Sequence, residues 1–170
     1  MSPTRVFIHG LEGSSHGTKG VFFKRRCPDM MIEDFHGTLE QRLEKLTSLV
    51  SDNKSLIIVG SSFGGLMAAI FAYKHPNIVK RLILLAPALT FLEFRPYSGH
   101  TIEPPVFVYH GKKDDVVPVG PVHDIAERVF LNLVFNVVDD DHMLSHTFEY
   151  MDWDELLDMG TARLPVKKMV

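Results

Sequence analysis

Leu56-Ile57-Ile58-Val59-Gly60-Ser61-Ser62-Phe63-Gly64-Gly65-Leu66 runs from an apolar segment through a Gly/Ser cluster into a second apolar segment. Four branched apolar residues read as a buried strand, and the Gly/Ser cluster after them as a sharp turn. Phe63 to His75 is apolar nearly all round and carries small Ala68, Ala69 and Ala72, so it reads as a central helix pressed on a sheet, ended by Pro76. Leu56 to Tyr73 would pass a hydropathy window, but Gly60, Ser61, Ser62, Gly64 and Gly65 in its first half argue against a membrane span.

The same alternation of strand and helix runs outward in both directions. Arg5–His9, Leu82–Leu85, Val106–Tyr109 and Leu133–Val138 are short apolar runs without two-residue alternation, as expected of strands buried on both faces of a parallel sheet. Met30–Phe35 is a weaker sixth candidate, whose Glu33-Asp34 pair suggests a sheet edge. Thr38 with Gln41 forms a capping box before Leu39, Leu43, Leu46 and Val50, which repeat at helical spacing. Pro121 suits a first helical turn, and Val122, Ile125, Ala126 and Val129 follow at three and four residues. From Ser145 to Met159 a last helical stretch carries Phe148, Met151, Leu156 and Leu157, broken near Asp152, with Gly160 as its stop.

Composition bounds the class. The 170 residues are 45% hydrophobic and 10% aromatic, enough to fill one core, so a disordered chain is excluded. No linker, repeat or low-complexity tract divides residues 1–170, which read as one doubly wound α/β domain with about six mostly parallel strands and right-handed crossovers. A formal charge of −3 gives no electrostatic reason to bind nucleic acid or an anionic membrane. Cys27 is the only cysteine, which fits a reducing compartment, and no signal peptide is legible, so the cytoplasm is the expected location. The sequence leaves the oligomeric state open.

In such sheets ligands bind beyond the carboxyl ends of the strands, so the residues that follow each apolar run matter most. After Leu56–Val59 comes Gly60-x-Ser62-x-Gly64, with a strand before and a helix after. A nucleophile on a tight turn presents its hydroxyl, and glycines two residues to either side let strand and helix close on each other. Ser62 is thus the candidate nucleophile. After Val106–Tyr109 comes His110-Gly-Lys-Lys-Asp114, and after Leu133–Val138 comes Asp139-Asp-Asp-His142. The order Ser, Asp, His at three successive suitable strand ends assigns His142 as general base and Asp114 as the acid that fixes its tautomer. Two backbone amides are expected to form an oxyanion hole, that of Phe63 after the nucleophile and that of Leu11 in the loop after the first strand. His9 could be taken for a second base or a metal ligand, but reads better as a partly buried histidine shaping that loop. His146, four residues after His142, is the rival base.

Taken together, His9-Gly10, Gly60-x-Ser62-x-Gly64, His110-Gly111-x-x-Asp114-x-x-Val117-Pro118 and Asp141-His142 resemble the signature of the α/β-hydrolase superfamily, in the family's order and over most of the chain. Within it, His9-Gly-Leu-Glu-Gly-Ser-Ser followed by Thr18-Lys19 is similar to the small, lidless YqiA-like esterases. The chain departs from the family in two places. Few residues precede the first strand, so the usual N-terminal antiparallel strands are not expected, and Leu89 to Pro104 is too short for a helical cap. The cleft should therefore be shallow and open. Phe91, Leu92 and Phe94 in that connection either line an acyl pocket or cover the sheet edge.

Other sites fare worse. Gly13-Ser-Ser-His-Gly-Thr-Lys19 lacks the Gly-Lys-Ser/Thr adjacency of a phosphate loop, and no G-x-G-x-x-G follows the first strand. The acidic run 139–141 reads as a solvated turn rather than a metal site, and no zinc spacing recurs, so neither cofactor nor metal is expected. The expected activity is that of a serine hydrolase acting on a small ester or thioester through acyl-Ser62, with activity rising with pH as His142 loses its proton. A non-catalytic binding protein of the same fold, and an acyltransferase or perhydrolase, are the alternatives.

Overall fold

The computed structural model describes residues 2–158. Six strands form one sheet: β1 Thr4–Ile8, β2 Met31–Ile32, β3 Leu56–Ser61, β4 Val79–Leu85, β5 Val106–Gly111 and β6 Leu133–Val138. Their order is β2-β1-β3-β4-β5-β6, and every pair is parallel. The chain thus starts near one edge, doubles back at β2, then winds steadily to the other edge. This places the sheet's topological switch between β1 and β3, whose carboxyl ends carry His9-Gly10 and Ser62.

Strand pleating divides the apolar residues between the two faces. Val6, Ile8, Leu56, Ile58, Leu82, Leu84, Val106 and Val108 meet one helical layer, formed by α2 Leu39–Leu49, α3 Phe63–Lys74 and α4 Val119–Val129. Phe7, Ile57, Val59, Ile83 and Leu85 meet the other, formed by α1 Thr18–Arg26, a 3-10 turn at Phe148–Tyr150 and α5 Trp153–Leu157. Both faces need apolar residues, which is why the strands show no alternation. β6 lies at the edge and is mostly half-buried, unlike the central strands.

Local signals shape the helices as chemistry requires. Thr38 Oγ1 accepts from the Gln41 amide at 3.3 Å while Gln41 Oε1 accepts from the Thr38 amide at 2.9 Å, the reciprocal bonds of a capping box. In α3 every residue from Phe63 to Ala72 is buried. The C-terminal stretch is not one long helix: Asp152 accepts from the Glu155 amide and starts five-residue α5 after the 3-10 turn. Buried Arg81 of β4 donates through Nη1 to the carbonyls of Glu155, Leu156 and Asp158, placing a cation at the end of α5. The expected stop at Gly160 lies outside the described residues.

Between β4 and β5 the chain forms only a 3-10 turn at Leu92–Tyr97, so no helical cap covers the sheet's carboxyl edge. No described helix is long and apolar enough to cross a membrane.

Candidate active site

Ser62 joins β3 to α3 in a conformation few side chains adopt, with φ +55° and ψ −115°. Its backbone holds that strain through four bonds: its amide donates to Leu85 O, and its carbonyl accepts from the amides of Gly65, Leu66 and Ala88. The flanking glycines answer a steric demand. A Cβ on Gly60 would run into the Gly64 carbonyl, and one on Gly64 into the carbonyl of Ile8 on β1. The Ser62 hydroxyl therefore stands between β1 and β3, above the switch point.

His142 Nε2 lies 3.1 Å from Ser62 Oγ, and His142 Nδ1 lies 2.6 Å from Asp114 Oδ2. The three side chains that sequence places after β3, β5 and β6 thus meet in one relay. Asp114 is well anchored: its other oxygen accepts from the amides of Val116 at 2.9 Å and Val117 at 2.7 Å. Fully buried His110 approaches the same Oδ2 at 3.1 Å through Nε2, which also donates to Val117 O at 2.7 Å. Burial pushes the His110 ring below its usual pKa, so it is a neutral donor beside the carboxylate.

The loop carrying His142 is fixed by the acidic run before it, whose three carboxylates diverge. Asp139 pairs with Lys112 and Lys113 on the surface. Asp140, 2% exposed, accepts from the amides of Asp141, His146 and Thr147. Burial alone would raise its pKa, but these bonds outweigh it and hold the carboxyl well below the usual range. Asp141 accepts from Ser145. His146 stays exposed, its Nδ1 3.3 Å from Asp140 Oδ1, so the rival base is engaged away from Ser62. A further tie reaches across from α1: Lys19 Nζ donates at 2.7 Å to the carbonyl of Met143, the neighbour of His142. Burial lowers Lys19 to about 8, against the opposing pull of Asp141 and Asp140.

His9 shapes the loop after β1. Its Nε2 accepts from the Phe35 amide at 2.9 Å, so the proton sits on Nδ1, which donates to Gly10 O at 2.6 Å. Gly13 N donates to the same oxygen at 3.2 Å. Because the peptide is planar and trans, anchoring Gly10 O points the Leu11 N–H the opposite way. His9 is 3% exposed, and burial depresses its pKa. Gly10 faces the serine: a Cβ there would lie 3.4 Å from Ser62 Cβ. The Phe63 amide opens α3, where the helix dipole favours negative charge.

A cleft of about 720 Å³ opens over Ser62, bordered by Phe7, Leu11, Phe91, Val116, His142 and Met143 among others. Of the three residues read as a possible acyl pocket, Phe91 borders it. Phe94 is instead fully buried in the core, and Leu92 is 71% exposed outside the cleft lining. Three residues per 3-10 turn explain the split: Phe91 and Phe94 share a face, and Leu92 is rotated off it. Val116 and Met143 also border the cleft, two residues after Asp114 and one after His142, which residue type alone does not mark in the sequence.

A family model described as the alpha/beta hydrolase fold matches residues 38–99. No curated protein matches the chain. Among solved structures, the alpha/beta hydrolase domain-containing protein 10 from mouse superposes with a TM-score of 0.72 at 18% identity, over 88% of this chain and 85% of that one. Est1E from Butyrivibrio proteoclasticus gives 0.70 at 20%, over 88% and 83%. An alpha-beta serine hydrolase homologue from Coxiella burnetii gives 0.71 at 17%, over 91% and 83%. The six-stranded parallel sheet, its helical layers and these likenesses agree: the chain has the α/β-hydrolase fold, in a small form without a cap.

Proposed function

We propose that this chain, an α/β-hydrolase by fold, is a serine hydrolase that cleaves small esters or thioesters through an acyl-enzyme on Ser62. The observation that carries the reading is the unbroken relay of Ser62 Oγ, His142 and Asp114 at 3.1 and 2.6 Å. His142 takes the Ser62 proton as Oγ bonds to the substrate carbonyl carbon, and the carbonyl π electrons move onto oxygen. The Leu11 and Phe63 amides receive that oxyanion. Its collapse breaks the bond to the leaving group, which departs with the proton from His142. Water then repeats the sequence on the acyl-enzyme and frees the acid. Asp114, held by two amides and by His110, fixes the imidazole with Nδ1–H toward itself.

An open cleft offers little remote binding energy to spend on a poor leaving group, which favours esters and thioesters over amides. The apolar side chains of Leu11, Phe91, Val116 and Met143 at its border suit an uncharged acyl or aryl group. Est1E has been captured with ferulic acid bound, which makes esters of aromatic acids a natural part of the substrate panel.

The test pairs turnover of p-nitrophenyl and thioester substrates, acetyl to palmitoyl and aryl, with fluorophosphonate labelling in wild type and Ser62→Ala. Turnover and labelling at Ser62, both lost in the variant, are expected. A folded wild-type protein that neither turns over nor labels would instead be a binding protein of this fold.

A further inference from the structure

Arg42 on α2 is only 4% exposed, and its Nη1 has no hydrogen-bond partner. Burial lowers its pKa, and among the described residues no carboxylate forms an ion pair with it. A guanidinium stays charged at any working pH, and a buried charge left without a counter-ion is a costly feature that asks for a cause. What surrounds it supplies one. Nε donates to Gly37 O at 3.1 Å, Nη2 lies 3.5 Å from Leu11 O, and the guanidinium carbon stands 5.5 Å from the centre of the Phe63 ring. Leu11 and Phe63 are the two residues whose amides are assigned to the oxyanion hole. The charge also reaches His9, which orients the Gly10–Leu11 peptide.

We propose that Arg42 is a positioning residue of the oxyanion hole, a buried cation whose counter-charge is the alkoxide formed when Ser62 adds to a carbonyl. The inference builds on the serine-hydrolase reading. In the resting protein the cation is uncompensated. When Oγ bonds to the carbonyl carbon and the π electrons move to oxygen, negative charge develops against the amides of Leu11 and Phe63, the two residues whose carbonyl and ring Arg42 contacts. Because Arg42 is itself shielded from water, its attraction is felt by the charged transition state and not by the neutral ester, which is the condition for raising kcat. The contact with Leu11 O adds a geometric part, because it restrains the loop that presents the Leu11 amide.

The test compares Arg42→Gln and Arg42→Lys in the full chain. Its readouts are kcat and KM on one p-nitrophenyl ester, affinity for a trifluoromethyl ketone that forms an anionic tetrahedral adduct on Ser62, and thermal unfolding. Arg42→Gln is expected to lower kcat about 10- to 100-fold and weaken the ketone by a similar factor with KM little changed, and Arg42→Lys to recover part of both. Folded variants with wild-type kcat and ketone affinity overturn the proposal, whatever happens to Tm. So does a loss equal in Gln and Lys with ketone affinity intact, which would make Arg42 only a pin for α2. Should the variants fail to fold, the Arg42 Nε–H resonance of wild type decides. It is expected to shift on ketone adduct formation and not with a neutral alcohol, and a resonance that ignores the adduct overturns the proposal. Inactive wild-type protein fails the hydrolase reading first, and is seen before any Arg42 variant is made.

Discussion

Ser62 holds a left-handed φ of +55°, and the bonds that sustain it come from the end of β4, from Ala88 just beyond it and from the first turn of α3. His9 works on the same principle, one ring satisfying Phe35 N and Gly10 O and so fixing the Gly10–Leu11 peptide. His9→Phe keeps the bulk but leaves that carbonyl with the Gly13 amide as its one remaining donor and leaves the Phe35 amide unpaired. Steady-state kinetics should show kcat reduced about 10- to 100-fold with KM little altered, and denaturant unfolding a loss of about 1–3 kcal/mol. At this scale the sequence was most legible. Ser62, Asp114 and His142 each follow an apolar strand in an order that only a few arrangements share. Phe91, Leu92 and Phe94 were illegible because a 3-10 turn and an extended loop place neighbours on different faces, and residue type does not tell the two apart.

The elements show where periodicity speaks and where it does not. α2 and α4 were readable from their stripes, and α3 from its uniform apolarity. α1 was missed: Gly20 interrupts it and Phe22 and Phe23 are adjacent, so no helical stripe emerges. Its glycine is there because a Cβ would strike the Ser15 carbonyl, a contact between loop and helix that sequence does not announce. The β6 to α5 connection shows a polar hub standing in for a helix. Asp140 ties down Asp141, His146 and Thr147, and its folded pKa lies below the unfolded one. The unfolded chain therefore binds the proton first as pH falls. The stability Asp140 contributes is full above the unfolded value, about pH 4, and is lost as pH drops from there toward the folded value. Asp140→Asn should cost about 1–3 kcal/mol at neutral pH, and urea unfolding between pH 6 and pH 3 should show a shallower loss for the variant than for wild type. An identical acid slope in both would remove Asp140 from this role.

On the scale of the whole molecule, the two layers are unequal. One face carries three helices, while the other depends on α1, α5 and an aromatic cluster in which Phe23 lies 4.8 Å from Trp153, 5.1 Å from Phe7 and 5.5 Å from Phe148. Phe23→Ala should therefore destabilise the fold by about 3–5 kcal/mol. Trp153 is the only tryptophan and is fully buried, so its fluorescence reports that loss directly in a denaturant titration. The doubly wound architecture was legible because parallel strands covered on both faces must be continuously apolar. The unequal layering was not, since it depends on the side of the sheet to which each crossover turns. The fold brings the segments after β1, β3, β5 and β6 to one edge with no cap above them, and we propose that this edge performs acyl transfer at Ser62. Rapid-quench mixing with a p-nitrophenyl ester, followed by intact-protein mass spectrometry and peptide mapping, tests it most directly. The expected result is a burst of nitrophenol of one equivalent per chain and an acyl mass increment on the peptide holding Ser62, both absent in Ser62→Ala. Hydrolysis that continues in Ser62→Ala, or an acyl group found on another residue, would contradict it.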